Sequence, residues 1–286
     1  MCIRDRNNGY IVAKTESPIK GIKFKLEKKS VGCTHFFLML ACLATGTSKL
    51  SNAACEPEVV HLGMLLNKMG AKIKGLGSKK IIIEGVKSLK GTNETVPSDR
   101  IEAGTFAIAV SATGGRIKLE NTNYEENKLL FKILEKTGSK INKSKNSITI
   151  EKTNDEIYPV NIKTSPYPGF PTDLQAQVMT LMTISNGKSE IKENIFENRF
   201  MHVQELIRMG ANIKLDKDKA IIRGINKLNG ANVMATDLRA SASLIIAGLA
   251  AIGKTSISRI YHLDRGFYNL ESKLNNCGAS IKRINE

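Results

Sequence analysis

Four times in this chain a Gly-x-x-Ile string closes an apolar-periodic segment: Gly70-Ala71-Lys72-Ile73, Gly138-Ser139-Lys140-Ile141, Gly210-Ala211-Asn212-Ile213 and Gly278-Ala279-Ser280-Ile281. The spacings are 68, 72 and 68 residues, and 23 to 25 residues before each string another glycine ends an apolar run, at Gly46, Gly114, Gly187 and Gly253. Recurrence at a fixed distance marks one supersecondary unit used several times. This period is too long for the common solenoid repeats, so a few large α/β units packed against each other are expected.

One unit can be read in detail and transferred to the others. Thr34 to Ala44 reads as an apolar helix stopped at Thr45-Gly46, because glycine adopts the left-handed conformation that ends a helix. Thr47 to Leu50 reads as a short strand. Glu56 to Met69 carries Val59, Leu62, Leu65, Leu66 and Met69 at helical spacing, with Pro57 in the first turn where its missing N–H costs nothing. Ala71 to Lys74 and Lys80 to Glu84 form the closing hairpin. The same reading gives helix 105–112, strand 116–120, helix 125–137 and hairpin 139–151, then repeats over 173–223 and from Asp237 to the end. The expected class is α/β, with helices as apolar as Leu244 to Ala250 inside and sheets outside. One unit hands over to the next near Leu89 to Pro97, a stretch rich in glycine and polar residues.

The 43 lysines and arginines against 27 acidic residues leave a net charge of +16, which calls for anionic partners. The lysines form no run beyond pairs, aromatics are 5%, and tryptophan is absent. A platform for stacking bases is therefore missing, and small anionic ligands are expected rather than nucleic acid. The five cysteines form no CxxC and the four histidines no ligand spacing, so neither a metal nor a disulfide framework is expected. No run reaches 18 apolar residues, which argues against a membrane span. Met1 to Arg6 lacks a signal-peptide pattern and reads as foreign to the rest of the chain, since Tyr10 to Ala13 begins like the middle of a strand.

Function is expected in the segments that fit the repeat least. Asp99, Asp173 and Asp237 each stand just before a helix, where a carboxylate is either an N-cap or a group aimed at a ligand; Thr172 offers a cap in place of Asp173. Arg199, Arg239 and Arg265 lie near expected helix starts, as surface ion pairs or as forks for carboxylate and phosphate. Ser30, with Val31 and Gly32, offers a hydroxyl and backbone donors ahead of a helix. Glu56 and Glu58 flank Pro57, a setting for capping and dipole compensation.

Strings in those segments carry a resemblance: Ser30-Val31-Gly32, Asn52-Ala53-Ala54 with Glu56-Pro57-Glu58, and Pro97-Ser98-Asp99-Arg100-Ile101-Glu102. They continue with Pro168-Gly169-Phe170-Pro171-Thr172-Asp173, Phe196-Glu197-Asn198-Arg199-Phe200-Met201-His202, Met234-Ala235-Thr236-Asp237-Leu238-Arg239 and Tyr261-His262-Leu263-Asp264-Arg265-Gly266. From about Tyr10 onward the chain resembles the UDP-N-acetylglucosamine 1-carboxyvinyltransferases, a family of enolpyruvyl transferases. The resemblance implies inside-out α/β domains of three-fold pseudo-symmetry, with part of an upper domain over 7–98 and a lower domain over 99–286. It implies a monomer in the cytoplasm, without cofactor or metal, that moves the enolpyruvyl group of phosphoenolpyruvate to the 3′-hydroxyl of UDP-N-acetylglucosamine, for peptidoglycan synthesis. It gives Asp173 the role of base. Lys28, Ser30, Val31 and Ile195 become nucleotide-sugar contacts, and Arg265 the partner of the phosphoenolpyruvate carboxylate. Arg199, Arg239 and Asp237 fall around the cleft, and Glu56 and Asp99 join the substrate-binding set. An N-terminal lysine and a mobile loop with a reactive cysteine, both part of the family pattern, have no match, and Cys55 stands where the family usually has arginine. Little activity is therefore expected of the sequence as it stands, and the alternative is a nucleotide-sugar-binding homologue without catalysis.

Overall fold

The structure, a computed structural model, describes residues 2–7, 10–15, 17–153 and 156–284. They fall into two compact units, Met1–Pro97 with Pro166–Pro168, and Ser98–Ser165 with Gly169–Glu286.

The first unit opens with an antiparallel hairpin of β1 (Cys2–Asn7) and β2 (Tyr10–Thr15). Then come β3 (Lys23–Lys25), α1 (Val31–Ala41), β4 (Thr47–Ser51), α2 (Pro57–Lys68), β5 (Lys72–Lys74) and β6 (Lys80–Glu84). Strands β3 and β4 run parallel on either side of α1, and β6 returns between β4 and β5, giving the order β3-β4-β6-β5. Alternation sets the inner face: Ile81 and Ile83 are buried while Lys80 and Glu84 face water. Helix α1 starts three residues before the apolar pattern suggests, because the Ser30 hydroxyl accepts from the Cys33 N–H at 3.2 Å and caps the turn. Gly70, at φ +103°, ends the helical segment of α2 as expected. Phe36, Leu40 and Leu43 of the α1 segment are more than half exposed.

The second unit contains three further copies. The first comprises α3 (Arg100–Thr113), β7 (Gly115–Glu120), α4 (Lys128–Lys136), β8 (Lys140–Lys143) and β9 (Ser147–Lys152). The next comprises β10 (Ile162–Lys163), α5 (Gln175–Thr183), β11 (Lys188–Lys192), α6 (Val203–Arg208), β12 (Asn212–Asp216) and β13 (Lys219–Arg223). The last comprises β14 (Asn232–Met234), α7 (Leu238–Ala250), β15 (Ser256–Ser258), α8 (Tyr261–Asp264) and α9 (Leu270–Asn276). The sheets have the orders β7-β9-β8, β10-β11-β13-β12 and β14-β15, the middle one repeating the first unit's topology.

Helices α3, α5 and α7 pack on one another, and every residue of α5 is buried. Small residues permit the approach. A Cβ on Gly104 would lie 2.7 Å from Leu174 Cδ1. The hydroxyls of Thr105, Ser111 and Ser241 are satisfied on carbonyls one turn back, at 2.7–2.9 Å, so they enter the core without stranded donors. Around them Leu130, Phe131, Leu134, Ile148 and Ile150 are fully buried, each worth about 1.5–3 kcal/mol. Helices inside and sheets outside is therefore the architecture of this unit.

Several boundaries differ from expectation. Helix α3 spans 100–113 because Asp99 caps it. The helix expected over 125–137 begins as a 3₁₀ turn at Tyr124–Asn127. The last repeat departs most: its second helix is split into α8 and α9, and Gly278 to Ile281 forms no strand.

Candidate functional site

The third repeat lengthens one connection, and the candidate site grows from it. After β4, β7 and β15 the chain turns at once through a left-handed residue, Asn52, Asn121 or Arg259, with φ of 59°, 54° and 57°. After β11 that conformation is delayed to Asn198, φ 56°, and residues 193–202 form a loop before α6. The buried carboxylate of Glu193 organises its first half. Its Oε1 accepts from the Thr164 hydroxyl at 2.9 Å and from the Ile195 and Phe196 N–H groups at 2.8 and 3.2 Å, and its Oε2 accepts from the Thr172 hydroxyl at 2.8 Å.

Arg199, later in the loop, donates from Nη1 to Thr172 Oγ1 at 2.8 Å and from Nη2 to Asp173 Oδ1 at 2.6 Å. Its Cζ sits 4.8 Å from the centroid of the Phe196 ring, a cation–π arrangement. From the first turn of α7, Arg239 donates to Asp173 Oδ2 at 2.7 Å. Asp237 sets that turn, its Oδ1 accepting from the N–H groups of Arg239 and Ala240 at 2.7 and 2.9 Å. Asp173 itself lies in a 3₁₀ turn, Thr172–Leu174, after Pro171. Burial alone would push its carboxyl up, but the charges and hydrogen bonds of Arg239 and Arg199 outweigh that and hold it below the usual carboxylate range. An ionised carboxylate gripped by two guanidinium groups is thus the centre of the constellation. An entering anion could compete for those arginines and leave Asp173 free to accept a proton.

His202, at the end of the loop that carries Arg199, is buried. Burial drops its pKa from 6.5 to about 4; the charge of Asp237 opposes the shift and that of Arg199 adds to it. A base with a depressed folded pKa takes up its proton in the unfolded chain first, so stability is full above pH 6.5 and declines as the pH falls toward 4. Between pH 7.5 and 4.5 this histidine is expected to cost about 2–3 kcal/mol. Urea denaturation at both pH values checks it. His202→Gln should remove that part of the slope, and an unchanged slope would locate the acid sensitivity elsewhere.

The structure gathers Asp173, Arg199, Arg239, Asp237 and Ile195 in the second unit. Neither Asp173 nor Thr172 caps a helix, contrary to the capping alternative, because their polar atoms are committed to the arginines and Glu193. Asp99 caps α3 through Oδ1, accepting from Ile101 and Glu102 at 2.7 and 3.1 Å, and is not among the Asp173 partners. Arg265 is corrected from a helix entrance to the C-terminal end of α8; it is exposed, and beside it Asp264 is held bidentately by Arg283 at 2.8 and 3.0 Å. In the first unit Lys28 is exposed, Ser30 caps α1, and Val31 is its first residue. Glu56 makes no side-chain cap; its Oε1 accepts from the Tyr167 N–H at 3.3 Å, and its Oε2 is buried with no hydrogen-bond partner among the described residues. The sequence reading missed Glu193 and the link through Thr172. Alternation through β11 places Glu193 on the face of the buried Ser189 and Ile191, the one signal that could have found it. A carboxylate is ordinarily exposed, however, and the partners that satisfy it here are distant in sequence or lie in the loop. Among the described residues no cluster of acidic, histidine or cysteine side chains could hold a metal, and no helix is long and apolar enough to cross a membrane.

Comparison with known proteins gives concordant matches. The family model described as EPSP synthase (3-phosphoshikimate 1-carboxyvinyltransferase) matches residues 3–274, reaching further toward the start than the resemblance from Tyr10. A UDP-N-acetylglucosamine 1-carboxyvinyltransferase 1 of Mesorhizobium japonicum is 53% identical over 281 residues, 98% of this chain and 65% of its own. The Methylobacterium radiotolerans UDP-N-acetylglucosamine 1-carboxyvinyltransferase is 54% identical over 96% of this chain and 64% of its own. The chain thus spans about two thirds of the length of these relatives, slightly less in each case. Among solved structures, the enolpyruvyl transferase NikO from Streptomyces tendae superposes with a TM-score of 0.88 at 23% identity, covering 98% of this chain and 69% of its own. An EPSP synthase from Acinetobacter baumannii gives 0.75 at 19%, covering 97% and 68%. These two structures establish the inside-out α/β fold, and the sequence matches establish the lineage: the chain belongs to the EPSP synthase family of carboxyvinyl transferases.

Proposed function

We propose that this sequence serves the transfer of the enolpyruvyl group from phosphoenolpyruvate to the 3′-hydroxyl of UDP-N-acetylglucosamine, with release of phosphate. The observation that carries the reading is the Asp173 carboxylate clamped by Arg199 and Arg239. Asp173 would orient the sugar hydroxyl and take its proton once the anionic phosphoenolpyruvate competes for the arginines, which lets the basicity of the carboxylate rise. Arg265 would hold the substrate carboxylate, and Ile195 the nucleotide sugar. Lys28, Ser30, Val31, Glu56 and Asp99 belong to the proposed substrate-binding set by resemblance. The net charge of +16 supports two multiply anionic substrates. The names of the relatives support the choice of UDP-N-acetylglucosamine; a role in peptidoglycan synthesis in the cytoplasm belongs to the proposal by resemblance. Residues 7–98 are assigned to an upper domain and 99–286 to a lower one.

The test joins this sequence to the segment of a relative that it does not match. The chimaera is expected to release phosphate when given both substrates, and the 286-residue chain alone to release little. A folded chimaera that binds UDP-N-acetylglucosamine in calorimetry yet releases no phosphate would replace this reading with a binding role.

A further inference from the structure

We infer that Glu193 is a positioning residue for the candidate site: by dictating which way the Thr172 hydroxyl donates, it fixes the guanidinium of Arg199. Glu193 is 4% exposed and its carboxylate accepts four hydrogen bonds, from Thr164, Thr172, Ile195 and Phe196. A threonine hydroxyl has one hydrogen and two lone pairs. With its hydrogen committed to Glu193 Oε2, Thr172 faces Arg199 Nη1 with an acceptor, and Nη1 meets it at 2.8 Å. The same guanidinium then reaches Asp173 Oδ1 from Nη2. Two nitrogens of one planar fork are thereby tied to neighbouring residues, which sets the angle at which Arg199 meets Asp173. Glu193 also holds the backbone of Ile195 and Phe196, and the Phe196 ring packs against the guanidinium. The hydroxyl and the ring that confine Arg199 are thus both organised by one buried acid.

An amide cannot substitute. The Ile195 and Phe196 N–H groups converge on Oε1 and require oxygen there, so in Glu193→Gln the amide nitrogen must face Thr172. It then donates to one lone pair of the hydroxyl that previously donated to Glu193 and leaves the hydroxyl's own hydrogen without that acceptor, so the orientation that presented a lone pair to Arg199 is no longer fixed. The consequence for ligand binding rests on the function proposed above, so the first readout is independent of it. In ¹⁵N-arginine-labelled protein, with the Arg199 signals assigned through Arg199→Lys, the wild type should show restricted rotation about Cζ–Nε and separate Nη resonances. Glu193→Gln should merge them and speed their exchange with water about 10-fold or more. Thr172→Val, which deletes only the linking hydroxyl, should do the same, and the double variant should add little, since both act through one chain of bonds. A merely structural Glu193 would lower the melting temperature with the Arg199 signals intact, and that result overturns the proposal. Should Glu193→Gln fail to fold, Thr172→Val decides alone: unchanged Arg199 resonances overturn the proposal. Loosened Arg199 in the variants, together with no nucleotide-sugar binding by the wild-type chimaera, would uphold the positioning role and overturn the functional reading.

Discussion

Asparagine in place of Asp173 is expected to lower phosphate release by the chimaera about 10²–10⁴-fold, the scale for a positioned acid–base group. The amide keeps the shape of the carboxylate but cannot take a proton from a sugar hydroxyl, and it presents one acceptor where Arg199 and Arg239 now find two. Affinity for UDP-N-acetylglucosamine should change far less. Both guanidinium groups are about one-fifth exposed or less, so the loss of their counter-charge should also cost stability. We expect about 1–3 kcal/mol, below the range for a fully buried pair because the carboxylate keeps 35% of its surface in water. The depressed carboxyl contributes stability that is present above its ordinary value of 3.8 and is lost as pH falls through its lower folded value. Its acid window therefore lies below that of His202. Kinetics and a melting curve on the same variant separate the roles. Turnover near that of the parent, with only the stability loss, would make Asp173 an anchor for two arginines and nothing more.

Alanine at Gly224 is expected to destabilise the second unit by about 3–5 kcal/mol, at the upper end for a single substitution. Gly224 comes directly after β13, donates to the Gly187 carbonyl at 2.9 Å, and a Cβ there would sit 1.7 Å from the Ser185 carbonyl oxygen. That obstacle is backbone, so relief requires parting the end of the sheet from the end of α5. Gly85 is its counterpart after β6, bonded to Gly46 at 2.9 Å, with a Cβ 1.6 Å from the Ala44 oxygen. Gly32→Ala provides the contrast: nothing lies within 4 Å of the added methyl, inside α1, so a gain of about 0.5–1 kcal/mol is expected. Urea denaturation of the two variants measures both. A loss under about 1 kcal/mol for Gly224→Ala would mean that the connection opens without strain.

The glycines show how far the chain could be read unaided. Gly70, Gly138 and Gly210 have φ between +95° and +103°, a property of the residue and its place after a helix, so their recurrence announced the units. Gly85 and Gly224 have no such local signature; what forbids a side chain there is a carbonyl about 40 residues away along the chain. The same division runs through the site. Helix starts at Asp99 and Asp237 were open to a capping reading because a cap and its recipients are two or three residues apart. Apolar composition likewise marked the inner helices, period 3.6 the half-buried helix α2, and period 2 the alternating hairpins. By contrast, Asp173 meets Arg199 and Arg239 from 26 and 66 residues away, and Glu193 reaches Thr172 from 21. Local sequence carries no record of such distances. The repeat and its punctuation were determined by the sequence alone, through forces that act within one turn or one strand. Which charges face each other, and which acid is buried, was decided by tertiary structure, because the fold of the third repeat returns its 193–202 loop to Thr172 and Asp173, and packing α5 against α7 brings Arg239 of the next repeat within hydrogen-bond reach.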